Sequence, residues 1–144
     1  MSKKYSIGEV AIAGNCQVQT IRYYEQIGLI PAPERTVGNQ RIYRQAHCDR
    51  LAFIRHSREL GFSLEQIREI LTLNDSPNHS CGDVDAIARS HLADVESKIK
   101  RLQGMKKELK RMIEQCAGGT VADCRIIEVL SNHNLCLQAK HVAK

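Results

Sequence analysis

Cys81, Cys116 and Cys124 are three cysteines whose settings suit soft-metal coordination. Cys116 and Cys124 stand at the two ends of CAGGTVADC, a loop of small residues and glycines that can wrap two sulfurs around one ion with backbone N–H groups turned toward them. Cys81 falls at the start of a long helical pattern, where the helix dipole favours an anionic ligand. CRIIEVL, which begins at Cys124, is a short apolar stretch able to close the loop as a lid.

A long helix must position these thiols. Ser80 can cap a helix running from about Cys81 to Gln115, apolar at Ala88, Leu92, Val95, Ile99, Leu102, Leu109 and Ile113. The alternation of four and three is interrupted once, where Lys106 takes a seam position beside Met105, and it reads as a coiled-coil seam. A helix polar on its other faces cannot bury that stripe alone, so it needs a partner, most simply its own copy in a second subunit. Cys81 and Cys116 lie 35 residues apart, or roughly 52 Å at 1.5 Å per residue. They cannot share a site within one chain. If two such helices pair antiparallel, Cys81 of one subunit meets Cys116 and Cys124 of its mate, giving two equivalent three-thiolate sites per dimer.

The first half of the chain suggests a polyanion partner. Residues 1–60 hold nine Lys or Arg against five Asp or Glu, which leaves most of the formal charge of +5 there. Ser6 with Glu9 forms a capping box ahead of Ile7, Val10 and Ala11, so a short helix is predicted to stop near Gly14. A second follows in QVQTIRYYEQIG, with Val18 and Ile21 inward, Gln17, Thr20, Arg22, Tyr23 and Tyr24 around the rest, and Gly28 as its stop. Two short helices joined by a tight glycine-containing turn describe a helix-turn-helix. PAPERTVGNQRIYR then reads as a hairpin wing, with Arg35 before its turn and Arg41, Tyr43 and Arg44 after it, suited to gripping phosphates. Residues 46–60 carry Leu51, Phe53, Ile54 and Leu60, and a second capping box, Ser63 with Gln66, opens a helix with Leu64, Ile67, Ile70 and Leu71 inward. Cys48 and His56 are assigned to packing in this region or to its edge.

The expected architecture is mainly α: a winged helix-turn-helix head over residues 1–75, a dimerisation helix over 80–116, and a loop, short helix and tail over 116–144, with NDSPNHS as the linker after the head. The absence of Trp and an aromatic share of 4% make the core aliphatic. The opening residues lack an apolar run of secretory length and no stretch approaches a membrane span, so a cytoplasmic protein without a membrane partner is expected, its cysteines mostly reduced. No nucleophile-base pair, phosphate loop or open-coordination motif points to an enzyme.

The segments YSIGEVA, TIRYYEQIGLIPAPER, GNQRIYR, RLAFIRHSRELGFSLEQIREIL, Cys81 and CAGGTVADCRIIEVL together resemble the MerR family of transcriptional regulators, in its metal-responsive branch. That resemblance implies a homodimer with winged helix-turn-helix heads joined by an antiparallel coiled coil. It implies binding to palindromic operators between promoter elements spaced too far apart, and metal-induced distortion of the DNA that lets RNA polymerase use both elements. Carried over by position, Gln17, Thr20, Arg22, Tyr23, Arg35, Arg41 and Tyr43 would touch DNA, and Cys81, Cys116 and Cys124 would bind the effector. Copper-sensing relatives lack a cysteine where Cys81 stands. Zinc-sensing ones have a cysteine next to the first loop cysteine and a histidine in the loop, whereas this chain has Ala117 and no loop histidine. Three thiolates leave zinc one ligand short of a tetrahedron unless His79, a tail residue or water completes it. They suit lead, cadmium or mercury, and lead or cadmium, with zinc secondary, is the expected effector. Cys16 resembles a cysteine of lead- and cadmium-responsive members but is assigned to packing in the turn. The tail, with His133, Cys136 and His141, reads as a frayed end, an accessory metal site being the alternative. A thiol redox sensor and a metal-buffering zinc protein are the rival classes.

Overall fold

The computed structural model describes residues 3–116 and 118–136. Two compact units meet inside the long helix, residues up to Ile87 belonging to the first and those from Ala88 to the second.

The first unit begins with α1 (Ile7–Ala13), and its start is fixed locally: the Glu9 amide donates to Ser6 Oγ at 3.2 Å while the Ser6 amide donates to the Glu9 carboxylate at 2.7 Å. Those two bonds, the backbone one first, hold the Glu9 carboxyl below its usual range. Gly14 ends α1, Asn15 turns the chain at φ 47°, and α2 (Val18–Gln26) follows. Gly28, at φ +73°, closes α2, its amide reaching the Glu25 carbonyl.

The wing is a two-stranded antiparallel hairpin, β1 (Glu34–Arg35) on β2 (Arg41–Ile42), with Glu34 opposite Ile42 and Arg35 opposite Arg41. Asn39 takes the left-handed position at φ 63°, and Arg35 Nη1 donates to its carbonyl at 3.0 Å, bracing the turn. A bridge between Tyr5 and Tyr43 ties the end of the wing to the segment before α1.

Beneath these lie α3 (Gln45–Glu59) and α4 (Leu64–Asn74), the second opened by the Ser63–Gln66 box. The core gathers Val10, Ala11, Ile21, Leu51, Ile54, Ile67 and Leu71 from the four helices of the head, with Leu29, Ile30 and Tyr43 from the segments between them. Leu51 and Ile54 are buried, but Phe53 and Leu60 face solvent, because Phe53 is rotated about 100° from Ile54 on the helix and Leu60 follows the last helical residue. Cys48 packs against the core as assigned, whereas His56 is exposed.

After a polar loop, Ser80 Oγ accepts from the Gly82 amide at 3.2 Å and α5 runs from Gly82 to Glu114, 33 residues without a break. In the second unit a 3-10 turn (Val121–Asp123), α6 (Arg125–Ser131) and a further 3-10 turn (His133–Leu135) follow it. Met112 and Val129 are the buried apolar pair of this unit among the described residues. Glu108, buried, is held by Arg111 Nη2 at 2.6 Å, and Arg111 also donates to the Leu135 carbonyl, fastening the segment after α6 to α5. On α5 the side chains of Leu92, Ile99, Leu102, Leu109 and Ile113 are 48–63% exposed. An apolar stripe of that length open to water is the signature of an interface.

Candidate metal centre and nucleic-acid interface

The loop between α5 and α6 is built to bring two sulfurs together. Cys116, half-buried, ends the last turn of α5 with its amide on the Ile113 carbonyl. Gly118 and Gly119 then adopt φ +79° and +101°, and a Cβ added to either meets nothing within 4 Å. Backbone conformation, not space, therefore requires glycine at both positions. Thr120 Oγ1 donates to Asp123 Oδ2 at 3.1 Å and stiffens the descent to Cys124, the N-cap of α6.

The Cys124 thiol is held below its ordinary value. The amide of Ile127 donates to its sulfur, and this bond is the largest influence holding the thiol below its ordinary value; burial opposes it, and the Ile126 amide and the Cys116 side chain add to it. The Cys116 side chain is thus close enough to lower the Cys124 thiol, and the free end of α6 supplies the N–H groups expected for a thiolate site. A clasp closes the loop from outside. Arg125 Nε donates to Gln115 Oε1 at 3.0 Å, joining the residue before Cys116 to the residue after Cys124, while Arg125 Nη1 pairs with Glu128 at 3.0 Å.

Cys81 is exposed immediately before α5 and its carbonyl accepts from the Asp85 amide. It belongs to the first compact unit and the loop pair to the second. Among the described residues no group of three or more His, Cys, Asp or Glu could hold a metal ion. One chain therefore offers a pair of sulfurs in one place and a single sulfur in another.

Of the accessory candidates, His79 Nε2 lies 2.6 Å from Asp83. His133 opens the last 3-10 turn, and Cys136 follows that turn with its thiol raised by burial and by the Glu108 carboxylate to which it donates. Cys136 is committed to α5 by that bond. His141 lies outside the described residues. Cys16 is half-buried in the helix-turn-helix turn and raised by burial, with Arg55 opposing.

The head presents Gln17, Arg22, Tyr23 and Arg35 at its surface, with Thr20 and Arg41 half-buried. Tyr43 corrects an expectation: it is wholly buried, its ring edge-on to His47 and its hydroxyl donating to Glu25, so its side chain is not on the phosphate-facing surface. Burial first, and then Glu25, raise its hydroxyl. Arg44, read as a phosphate grip, instead pairs with Glu34 at 2.7 Å across the wing. Glu25, which the sequence did not single out, is the organiser here. Its carboxylate takes the Tyr43 hydroxyl and lies 3.4 Å from Arg41 Nε, joining α2 to the wing. The available signal was a lone acid on the helix whose neighbours are Arg22, Tyr23 and Tyr24.

The model for "MerR HTH family regulatory protein" matches residues 5–73, and that for "MerR, DNA binding" matches residues 48–112. The HTH-type transcriptional regulator ZntR of Escherichia coli (strain K12) is 40% identical over 129 residues, covering 88% of this chain and 92% of that one. Among solved structures, the transcription regulator PbrR691 from Ralstonia metallidurans CH34 in complex with lead(II) is similar with a TM-score of 0.79 and 40% identity, covering 88% of this chain and 98% of that one. The regulator MerR from Bacillus megaterium MB1 in complex with mercury(II) follows at a TM-score of 0.64 and 34% identity, over 88% and 99% of the two chains. No helix among the described residues is long and apolar enough to cross a membrane.

Proposed function

This chain belongs to the MerR family of helix-turn-helix transcriptional regulators, and on that premise we propose that it is a metal-responsive activator whose effector is lead(II) or cadmium(II), with zinc(II) secondary. Cys116 and Cys124 supply two sulfurs and Cys81 of a second copy supplies the third. The observation that carries this reading is the contact of Cys116 with an amide-activated Cys124 inside a clasped loop. A donor set made only of sulfur favours soft ions, and three thiolates leave zinc one ligand short. The open stripe on α5 supports antiparallel pairing with that second copy.

Two winged heads per dimer then address the two halves of a palindromic operator in the promoter spacer. Gln17, Thr20, Arg22 and Tyr23 face the groove, and Arg35 and Arg41 face the phosphates. Closure of the loop over the ion shifts the dimer to a form that distorts the operator and lets RNA polymerase engage both promoter elements, which is specificity by deformation used as a switch. Transcription of genes for metal resistance or efflux follows.

The test is a competition titration of the reduced dimer with lead, cadmium and zinc, reading metal-thiolate absorbance and stoichiometry together. One lead or cadmium per subunit is expected, with bands lost in Cys81→Ser and not displaced by excess zinc. Preferential zinc binding that survives loss of Cys81 would overturn the assignment. The Cys116–Cys124 contact also favours a second reading, a redox pair on the same DNA-binding protein. Peroxide treatment that joins these two thiols and alters operator binding with no metal present would support it.

A further inference from the structure

Arg68, on α4, meets the end of α2 and lines a cavity shared with the start of α5, all within the first unit. Its Nη2 donates to the carbonyl of Ile27 at 2.5 Å. That carbonyl is one of those a helix end leaves without a partner, so a cation from α4 closes the end of α2 at the pole of the helix dipole that favours it. A Cβ added at Gly28 would sit 3.6 Å from Arg68 Nη1, and the positive φ there favours glycine. Arg68 also lines an open cavity with Glu69 and Leu73 of α4 and with Asp83 and Ile87 in the first turns of α5. A cation and two carboxylates thus share one unfilled space. Asp83 is two residues beyond Cys81 and is itself held by His79 at 2.6 Å.

We propose that Arg68 is the positioning residue through which the Cys81 end of α5 acts on the DNA-reading helix. The inference rests on the metal-responsive reading above. When Cys81 is drawn into a thiolate site on the partner's loop, Asp83 and Ile87 move with it and reshape the cavity beside Arg68. The guanidinium transmits that displacement to the end of α2. Packed elements adjoining a cavity have room for such a discrete shift, and a side chain bonded to the end of α2 that also lines the cavity beside α5 can relay it.

The full-length dimer tests this with Arg68→Met, which keeps the bulk of the stem and removes the donor, and Arg68→Lys, which keeps a donor for the Ile27 carbonyl. Cadmium affinity, operator affinity with and without cadmium, and cadmium-dependent transcription in a purified system are read together. For Arg68→Met, cadmium stoichiometry and metal-free operator affinity are expected within about threefold of wild type while the transcriptional response to cadmium falls about tenfold, a loss in the ordinary range of coupling between sites. Arg68→Lys is expected to recover at least half of that response. An undiminished response in Arg68→Met would overturn the proposal. So would equal losses of operator affinity with and without cadmium that Arg68→Lys does not repair, since they would make the cap purely structural. A wild-type protein whose operator and promoter ignore cadmium would overturn the metal-responsive reading itself, and this inference with it, before any variant is made.

Discussion

The head and the second unit solve the burial problem in opposite ways. In the head, α1 to α4 and the wing enclose ten core residues, and Ile21, Ile54 and Ile67 are inaccessible to solvent. Among the described residues the second unit shows no comparable centre: Met112 and Val129 are buried, while five large apolar side chains of α5 remain open. A domain that completes its own core can move as a unit. A helix that leaves its stripe open depends on another molecule, and a site at its ends inherits that dependence. The proposed metal site lies at the second unit's loop, where two copies would meet, and the proposed DNA-reading residues lie on the self-contained head.

The sharpest way to break this contrast is to make the open stripe polar. Ile99→Asp with Leu102→Asp is expected to give a monomer by sedimentation and to lower operator affinity on the order of 100-fold, the gain that tethering two heads provides, while leaving thermal unfolding of the head unchanged. A dimer that survives both charges would mean the stripe is not the interface.

Core truncation in the head should do the reverse. Ile21→Ala removes a fully buried side chain and is expected to cost about 2–5 kcal/mol in urea unfolding. Dimers should persist at low urea, and loss of dimerisation in step with the head would show that the two regions are not independent.

A smaller effect sharpens the reading of the wing. Tyr43→Phe deletes the hydroxyl donated to Glu25, and a loss of about 1.5 kcal/mol is expected because hydrogen bonds to charged groups are the stronger kind. The salt dependence of operator binding should keep its slope, since a buried hydroxyl neutralises no phosphate. A shallower slope would return Tyr43 to the DNA surface.

Gln115→Ala is the mildest change. Opening the clasp to Arg125 is expected to weaken cadmium binding by about 1 kcal/mol, the net worth of one hydrogen bond, without altering stoichiometry or the absorbance bands. Altered bands would make Gln115 part of the coordination geometry and not a brace for it.

How much of this was legible in the sequence depended on how far apart the partners lie along the chain. The Ser6–Glu9 and Ser63–Gln66 boxes span three residues, and both helix starts were read correctly. The wing and the long helix were equally plain, since a glycine-asparagine turn and a sustained apolar repeat are local patterns. Tyr43 was misread because an aromatic among arginines resembles a phosphate grip, whereas its burial is decided by Glu25, 18 residues earlier, and by its bridge to Tyr5. Which of the apolar residues of 46–60 are buried was not legible, because α3 buries a narrower stripe than its apolar content suggests and leaves Phe53 and Leu60 exposed. The Glu108–Cys136 contact and the Arg68 cap join residues 28 and 41 positions apart, and no spacing rule announces either. Cys116 and Cys124 were identifiable as a pair from their loop, but the activation of Cys124 by the amides of α6 required the fold.

The claim that the site is shared between two copies is tested most directly by a mixed dimer, one subunit carrying Cys81→Ser and the other Cys116→Ser with Cys124→Ser, titrated with cadmium. One intact three-thiolate site per dimer is expected, with absorbance half that of wild type, because the remaining Cys81 faces the remaining loop pair. A mixed dimer with no such site would place all three sulfurs of each site in one chain and contradict the antiparallel arrangement.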